Sequence, residues 1–431
     1  MDNREIIQNS IDYIEENLKT EITAYELSEN AGFSIYHYYR LFQSAVGMPV
    51  MQYIIRRKLI NAVYDTSQGQ KMINTALIYG FDTHAGFYKA FKREFGYTPS
   101  EFLKKYKAKK PYRINLFKEE HIMVTHKKVS EVLKKWGLQN ETIKDIYYEK
   151  TGNHNDSAYY VGNDYVIKFT ANVGKLKNHI ELSKAIENVG LWSATVIRTE
   201  DGKEYIQDGE LYFYLTKRLN GSQIKSGDIY EGDYDRKGRF VGEIIGQLHL
   251  ALKEADIIVN DVDMYENVKN WAMPKVRELM NLPDYICKDY IEVFGNLYPK
   301  LPKQIIHRDP NPGNIIVNNE RWGFIDFELS ERNLRIYDPC YAATAVLSEN
   351  FSIGADKKLT QWIELCRSII EGYDSVVKLS EEERKAIPYV ILSNQLICVA
   401  WFSEQEKYKE IYQINKAITN WIVNNFDKLH I

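Results

Sequence analysis

Only four cysteines occur in 431 residues, Cys287, Cys340, Cys366 and Cys398, and none stands at metal-ligand spacing from another. A disulfide framework and a zinc ribbon are therefore not expected. The pattern reads as reduced, mostly buried thiols in a cytoplasmic protein. Proline is scarce, at 11 residues, and no low-complexity tract interrupts the chain. No stretch reaches ~18 consecutive apolar residues, and the first residues lack a basic-then-apolar segment, so no membrane span and no secretory signal are expected. Charge of one sign is also missing in the sum: 56 basic residues against 59 acidic give a net charge of −3. That balance hides an uneven distribution. Residues 1–30 carry 2 basic and 8 acidic side chains, whereas residues 31–110 carry 13 basic and 4 acidic. A basic stretch of this kind suits phosphate contacts and salt-dependent binding to nucleic acid.

The length allows two or three domains with their own cores. The most informative stretch begins at Ile305 and reads I-I-H-R-D-P-N-P-G-N-I-I-V, followed after a short gap by F-I-D-F-E ending at Glu328. It places Asp309, then Asn314 five residues on, then Asp326 twelve further. Phosphoryl transfer needs a carboxylate to orient an attacking hydroxyl and oxygen ligands to hold magnesium against a triphosphate. Upstream, Y-V-I-K-F (Tyr165–Phe169) reads as a short apolar strand. Its Lys168 would be costly to bury unless an anion met it. Glu181 follows thirteen residues later, on a helical stretch from His179 to Val189. Thr151–Ser157, T-G-N-H-N-D-S, lies between strand-like runs and holds one glycine, Gly152. Its amides from Gly152 to Ser157 would cap phosphates, or the segment is a plain hairpin turn.

These motifs resemble the aminoglycoside phosphotransferase and choline kinase-like superfamily, which shares the protein-kinase fold. The resemblance implies ATP and Mg²⁺ as cofactors and a small-molecule acceptor. It makes Asp309 the catalytic base and Asn314 a catalytic residue and magnesium ligand. Asp326 is then the second ligand and Glu328 a further acidic position at the metal. Lys168 would grip the nucleotide phosphates, held by Glu181, with Gly152 and Ser157 bounding the phosphate loop. Arg308 stands where the family usually carries glycine. The strand Leu211–Leu219 would run into a hinge at Asn220-Gly221. His249 is expected to be a packed structural residue, and Asp338 resembles the structural aspartate after the metal loop. The aromatics Trp362, Trp401, Phe402, Tyr408, Tyr412 and Trp421 sit on amphipathic helices and read as core, or a few of them as walls of an acceptor pocket.

The N-terminal part shows a doubled pattern. Ile22 to Gly47 reads as helix, turn at Gly32-Phe33-Ser34, and helix, with Ser34 as N-cap. Met72 to Gly96 repeats it, closed by Y-T-P-S-E-F (Tyr97–Phe102). Residues 1–106 resemble the AraC-type DNA-binding domain, two helix-turn-helix units joined by a long helix. Helical periodicity turns Tyr38, Leu41 and Phe42 inward, and likewise Phe87, Ala90 and Phe91. Tyr36, Tyr39, Arg40 and Gln43 then face outward, as do His84, Ala85, Tyr88 and Lys89, where a recognition helix reads base edges in the major groove of double-stranded DNA. Carrying both reading heads, such a domain needs no second copy to engage two grooves.

The expected fold is multidomain: an all-α double helix-turn-helix domain (1–106), a basic linker (107–122), and an α+β bilobal kinase-like domain. The latter divides into a small lobe (123–219) and a large lobe with a C-terminal helical acceptor region (220–431). The resemblances together imply a transcriptional regulator that carries an ATP-dependent small-molecule O-phosphotransferase. The alternative is a non-catalytic nucleotide or ligand sensor that controls DNA binding.

Overall fold

The computed structural model describes residues 3–117, 123–148, 152, 154–253, 255, 257–319, 321–351, 356–405 and 408–430. The chain forms two compact units, one of residues 1–171 and 196–218, the other of residues 172–195 and 219–431.

The first unit opens with seven helices, most of them bounded by clear start and stop signals. After α1 (Asn3–Glu16), α2 (Ala24–Asn30) starts at Thr23, whose hydroxyl accepts the Glu26 amide. The helix α3 (Ile35–Val46) starts at Ser34, which caps the His37 amide, and stops at Gly47, whose φ of +86° suits a residue without Cβ. The long α4 (Val50–Ser67) leads to α5 (Met72–Ile78) and α6 (His84–Phe95), capped by Thr83 and ended at Gly96 with φ +79°. In α7 (Pro99–Lys105), Thr98 and Glu101 form a reciprocal capping box ahead of Pro99. Tyr38, Phe42, Tyr53, Phe87 and Phe91 are fully buried in the core these helices share. Leu41 and Ala90 are only partly buried there.

Part of the expected linker packs on the helices, while Lys107, Lys110, Arg113 and Phe117 are exposed. Ile114 and Leu116 are buried in the helical core, Gln8 Nε2 donates to the Ile114 carbonyl at 3.0 Å, and the Leu116 amide donates back to Gln8 Oε1 at 2.8 Å. The rest of the expected linker, 118–122, lies outside the described residues.

The same unit continues with α8 (His126–Leu133), β1 (Ile143–Tyr147), β2 (His154–Val161) and β3 (Tyr165–Thr170). The second unit then contributes α9 (Val173–Asn188) and β4 (Trp192–Ser193), before the first resumes with β5 (Val196–Ile197), β6 (Ile206–Asp208) and β7 (Leu211–Lys217). The first unit's sheet runs β1-β2-β3-β7-β5, all antiparallel, with β6 also on β7. Its inner face packs Tyr159, Ile167, Phe213 and Leu215 against Val129 and Leu133 of α8. The helix expected from His179 starts earlier, because Asn172 caps the Gly174 and Lys175 amides. The strand-like run after the expected phosphate loop begins at His154, so residues 154–157 of that loop are β-structure.

In the second unit, β8 (Ser222–Gln223) precedes α10 (Ser226–Ile229) and α11 (Tyr234–Lys253). A small sheet orders β4, β11 (Trp322–Phe324), β10 (Ile315–Val317) and β8, and a separate ribbon pairs β9 (Lys303–Ile306) with β12 (Glu331–Leu334). Helices Tyr337–Asn350, Asp356–Val376, Glu381–Ser403 and Lys409–Asn424 complete it. Trp362 is fully buried, whereas Trp401 is 44 % exposed, so the aromatic set divides between core and surface. Helix Glu381–Ser403 is long and apolar enough, by length and composition alone, to cross a membrane. Most of its apolar stretch is buried inside this unit, as a core helix would be.

Candidate active site and DNA-reading face

The catalytic loop hangs from one buried carboxylate. Asp338, wholly enclosed at the start of helix Tyr337–Asn350, accepts the His307 amide at 2.8 Å and the Arg308 amide at 2.9 Å. It also meets His249 Nε2 of α11 at 2.9 Å, while His249 Nδ1 lies 2.8 Å from the Tyr373 hydroxyl. His249 is thus the packed structural residue expected. Because a carboxylate only accepts, the ring nitrogen facing Asp338, Nε2, carries a proton.

His307 fixes the next link. Its Nδ1 accepts the Asp309 amide at 3.3 Å, so the proton sits on Nε2, which faces the Ile325 carbonyl at 2.9 Å. The Ile325 amide in turn donates to the Asn314 carbonyl at 3.0 Å. The ends of β9 and β11 and the start of β10 are therefore pinned at Ile325, and the following residue, Asp326, is held beside Asp309 and Asn314. Two non-glycine residues have left-handed backbone here: Arg308 and Asp326, both with φ +72°. Such strain clusters at functional sites and persists only where the surroundings impose it. Arg308 Nε pairs with Glu331 of β12 at 3.1 Å, tying the strained residue to the ribbon.

Asp309 is the best-supported side chain of the site. Asn311 Nδ2 donates to Oδ1 at 2.8 Å, and Asn314 Nδ2 donates to Oδ2 at 3.2 Å and to the Asp309 carbonyl at 2.9 Å. The Tyr341 hydroxyl also hydrogen-bonds to it. Burial pushes the Asp309 carboxyl above the usual carboxylate range, and the nearby Asp326 charge adds to the push. The bonds from Asn311 and Tyr341 and the neighbouring His307 oppose it. Burial and the Asp309 charge together drive the Tyr341 phenol well above its ordinary value, so it stays a donor. Asn311 and Tyr341 were not singled out from the sequence. The spacing D-x-N and the D-P-C-Y segment were the available signals.

Glu181 and Glu328 line one cavity of about 810 Å³ together with Arg308, Glu331, Asn178 and Lys175. Glu328 shares the turn Phe327–Leu329 that follows Asp326. Lys168 stands in the first unit, on β3 opposite Ala158 and Tyr214. The expected phosphate loop is the least open part. The Gly152 amide donates to the Tyr148 carbonyl at 2.8 Å and the Ser157 amide to Asn155 Oδ1 at 3.0 Å, so neither is free for a phosphate in this conformation. Thr151 and Asn153 lie outside the described residues.

Among the described residues, no three His, Cys, Asp or Glu side chains form a metal-holding group by themselves. The donors on hand still fit magnesium. Asn314 spends its amide nitrogen on Asp309 and keeps its oxygen, and Asp326 adds a carboxylate. Magnesium takes few protein oxygens and completes its shell with phosphate and water.

On the helical side, Tyr36, Arg40 and Gln43 of α3 and His84, Ala85 and Lys89 of α6 are exposed. Tyr39 and Tyr88 are half-buried, and the Tyr88 hydroxyl bonds Ser100 at 2.5 Å. Arg40 lies over the Tyr36 ring at 6.0 Å, and His84 packs on Tyr88 at 4.4 Å.

The model of a phosphotransferase enzyme family matches residues 150–375, just over half of the chain. The chain belongs to that family. A helix-turn-helix domain model matches residues 27–105, and the N-terminal region is an AraC-type helix-turn-helix domain. It is 33 % identical over 96 residues to the HTH-type transcriptional activator AarP of Providencia stuartii, covering 22 % of this chain and 71 % of AarP. It is 32 % identical over 108 residues to the HTH-type transcriptional regulator YbfP of Bacillus subtilis, covering 24 % of this chain and 37 % of YbfP. Among solved structures, the amicoumacin kinase hAmiN in complex with AMP-PNP, Ca²⁺ and Ami shares the fold at a TM-score of 0.53 and 13 % identity. That match covers 69 % of this chain and 92 % of the kinase. The GDP complex of wild-type aminoglycoside 2'-phosphotransferase-IIIa matches at 0.50 and 14 % identity, covering 69 % and 97 %.

Proposed function

We propose that the phosphotransferase part moves the γ-phosphoryl group of ATP to a hydroxyl of a small-molecule acceptor, and that the helix-turn-helix part binds a promoter site sequence-specifically in the cytoplasm. The observation that carries the catalytic reading is the Asp309 carboxylate. It is held from three sides by Asn311, Asn314 and Tyr341, with Asp326 beside it.

Asp309 orients the acceptor hydroxyl and takes its proton as the oxygen–phosphorus bond forms and the bond to the β-phosphate oxygen breaks, releasing ADP. Its raised affinity for a proton suits that task. Asn311 and Asn314 keep the carboxylate in one rotamer. Asn314 and Asp326 would hold magnesium, which neutralises charge on the phosphates when bound. Lys168 would grip the phosphates. Glu181, on α9, lines the cavity with Arg308 and Glu328.

Asp326→Ala is expected to abolish magnesium-dependent nucleotide binding in calorimetry, while magnesium-independent binding is unaffected. Unchanged magnesium dependence would remove Asp326 from the ligand set. A second reading, in which nucleotide binding serves to control DNA affinity, is favoured by one observation: the helix-turn-helix helices and the sheet bearing Lys168 form a single compact unit.

A further inference from the structure

The long helix α4 joins the two helix-turn-helix halves, so its seating sets the spacing of the reading helices α3 and α6. Arg56 is buried on α4. Its Nη2 lies 2.5 Å from Asp145 Oδ2 of β1, and its Nη1 lies 3.1 Å from Glu94 Oε1 of α6. One guanidinium thus ties the central helix to a recognition helix and to the sheet. Asp145 is wholly enclosed and has two further partners. His126 Nε2 of α8 is 2.7 Å from Oδ1, and His154 Nε2 is 2.9 Å from Oδ2, at ion-pair distance without hydrogen-bond geometry. His154 opens β2, two residues after Gly152, and its Nδ1 meets Asp156 at 2.7 Å. Gly152 also abuts the helical domain: a Cβ there would sit 1.9 Å from the Lys107 carbonyl. The segment expected to cap phosphates thus runs close past Lys107, just after α7, and reaches the helical core through Asp145 and Arg56.

We propose that Asp145 couples the phosphate segment to the DNA-reading helices, so that nucleotide occupancy and DNA affinity are linked. The inference rests on the nucleotide-binding reading above. Phosphate capture by the Gly152 and Ser157 amides requires release of the Tyr148 carbonyl and the Asn155 side chain, which displaces the adjoining His154. A buried carboxylate that loses one partner is costly and leans harder on those that remain. Asp145 then redistributes onto Arg56 and His126, and the hold of Arg56 on Glu94 changes with it. Binding linkage is reciprocal, so bound DNA alters nucleotide affinity by the same factor.

The test uses the full chain, a duplex obtained by in vitro selection against it, and Mg-AMP-PNP. DNA affinity is read by fluorescence anisotropy with and without saturating nucleotide, and nucleotide affinity by calorimetry with and without DNA. The expected result is a shift of about fivefold or more, equal in both directions. His154→Gln should reduce it to less than twofold. The shift is a ratio, so it is measured whatever the variant's intrinsic affinities. Binding of both ligands without a shift, or a shift that survives His154→Gln, overturns the coupling and leaves the nucleotide site standing. Failure to bind Mg-AMP-PNP overturns the nucleotide reading, and the coupling with it.

Discussion

Asp338 accepts two backbone amides and faces one histidine from a position with no solvent contact, so it organises the catalytic loop without touching a reactant. Asp338→Ala leaves the His307 and Arg308 amides and the His249 ring without their acceptor. Removing one member of such a buried network costs about 3–5 kcal/mol. Chemical denaturation should show that loss in the transition of the second unit, and a loss below ~1 kcal/mol would mean that water or a neighbour replaces the carboxylate. Arg308 illustrates a different balance. A left-handed non-glycine residue costs roughly 1–2 kcal/mol, and the pair with Glu331 offsets it. That explains how an arginine stands where the family usually has glycine, the one residue type that adopts φ +72° freely.

Glycines govern how two helices of the second unit meet. Gly238, Gly242 and Gly246 recur every fourth residue on one face of α11 and lie against helix Asp356–Val376. A Cβ at Gly242 would sit 1.9 Å from the Ile369 carbonyl, and one at Gly372 would sit 2.1 Å from the Arg239 carbonyl. Backbone cannot yield as a flexible side chain would. Gly242→Ala is therefore expected to destabilise this unit by roughly 1–3 kcal/mol, read as a fall in its melting temperature, and an unchanged value would contradict the close approach. The meaning of this glycine spacing appears only with the partner helix in place. The same holds elsewhere. Ser34 and the H-R-D-x-x-x-x-N segment were readable because capping and catalytic-loop chemistry are local in sequence. The burial of Ile114 and Leu116 was not, because it depends on Gln8, about a hundred positions away. The phosphate segment was misread as wholly loop because N-H-N-D-S looks like turn sequence, whereas pairing of His154 with Tyr147 of β1 draws it into the sheet.

For the whole molecule, the Asp145 cluster makes the stability of the first unit depend on pH. Burial alone would lower the His154 imidazole, but the Asp145 and Asp156 carboxylates outweigh it and hold it above its ordinary value. That contribution is fully present below about pH 6.5, the unfolded value, and is lost as pH rises through the raised folded value. Burial alone would raise Asp145, but Arg56, His126 and His154 pull it well below its ordinary value. Its contribution is present above about pH 4 and is lost as pH falls further. Melting of the first unit should thus weaken on the alkaline side of pH 6.5, and His154→Gln should flatten that limb and, by removing one of the groups that hold Asp145 down, shorten the acid limb as well. An unchanged alkaline limb in the variant would place the titration elsewhere.

The central claim, a phosphotransferase joined to a DNA-binding regulator, is tested most directly by transfer of label from [γ-³²P]ATP. The purified chain would be assayed against a panel of aminoglycosides and small amino-alcohols, with Asp309→Asn alongside. The account predicts a labelled acceptor whose formation falls by roughly two to four orders of magnitude in the variant, with nucleotide affinity retained. Equal labelling by the variant, or no labelling of any acceptor by a chain that binds Mg-ATP tightly, would contradict it and leave the phosphotransferase fold as a sensor.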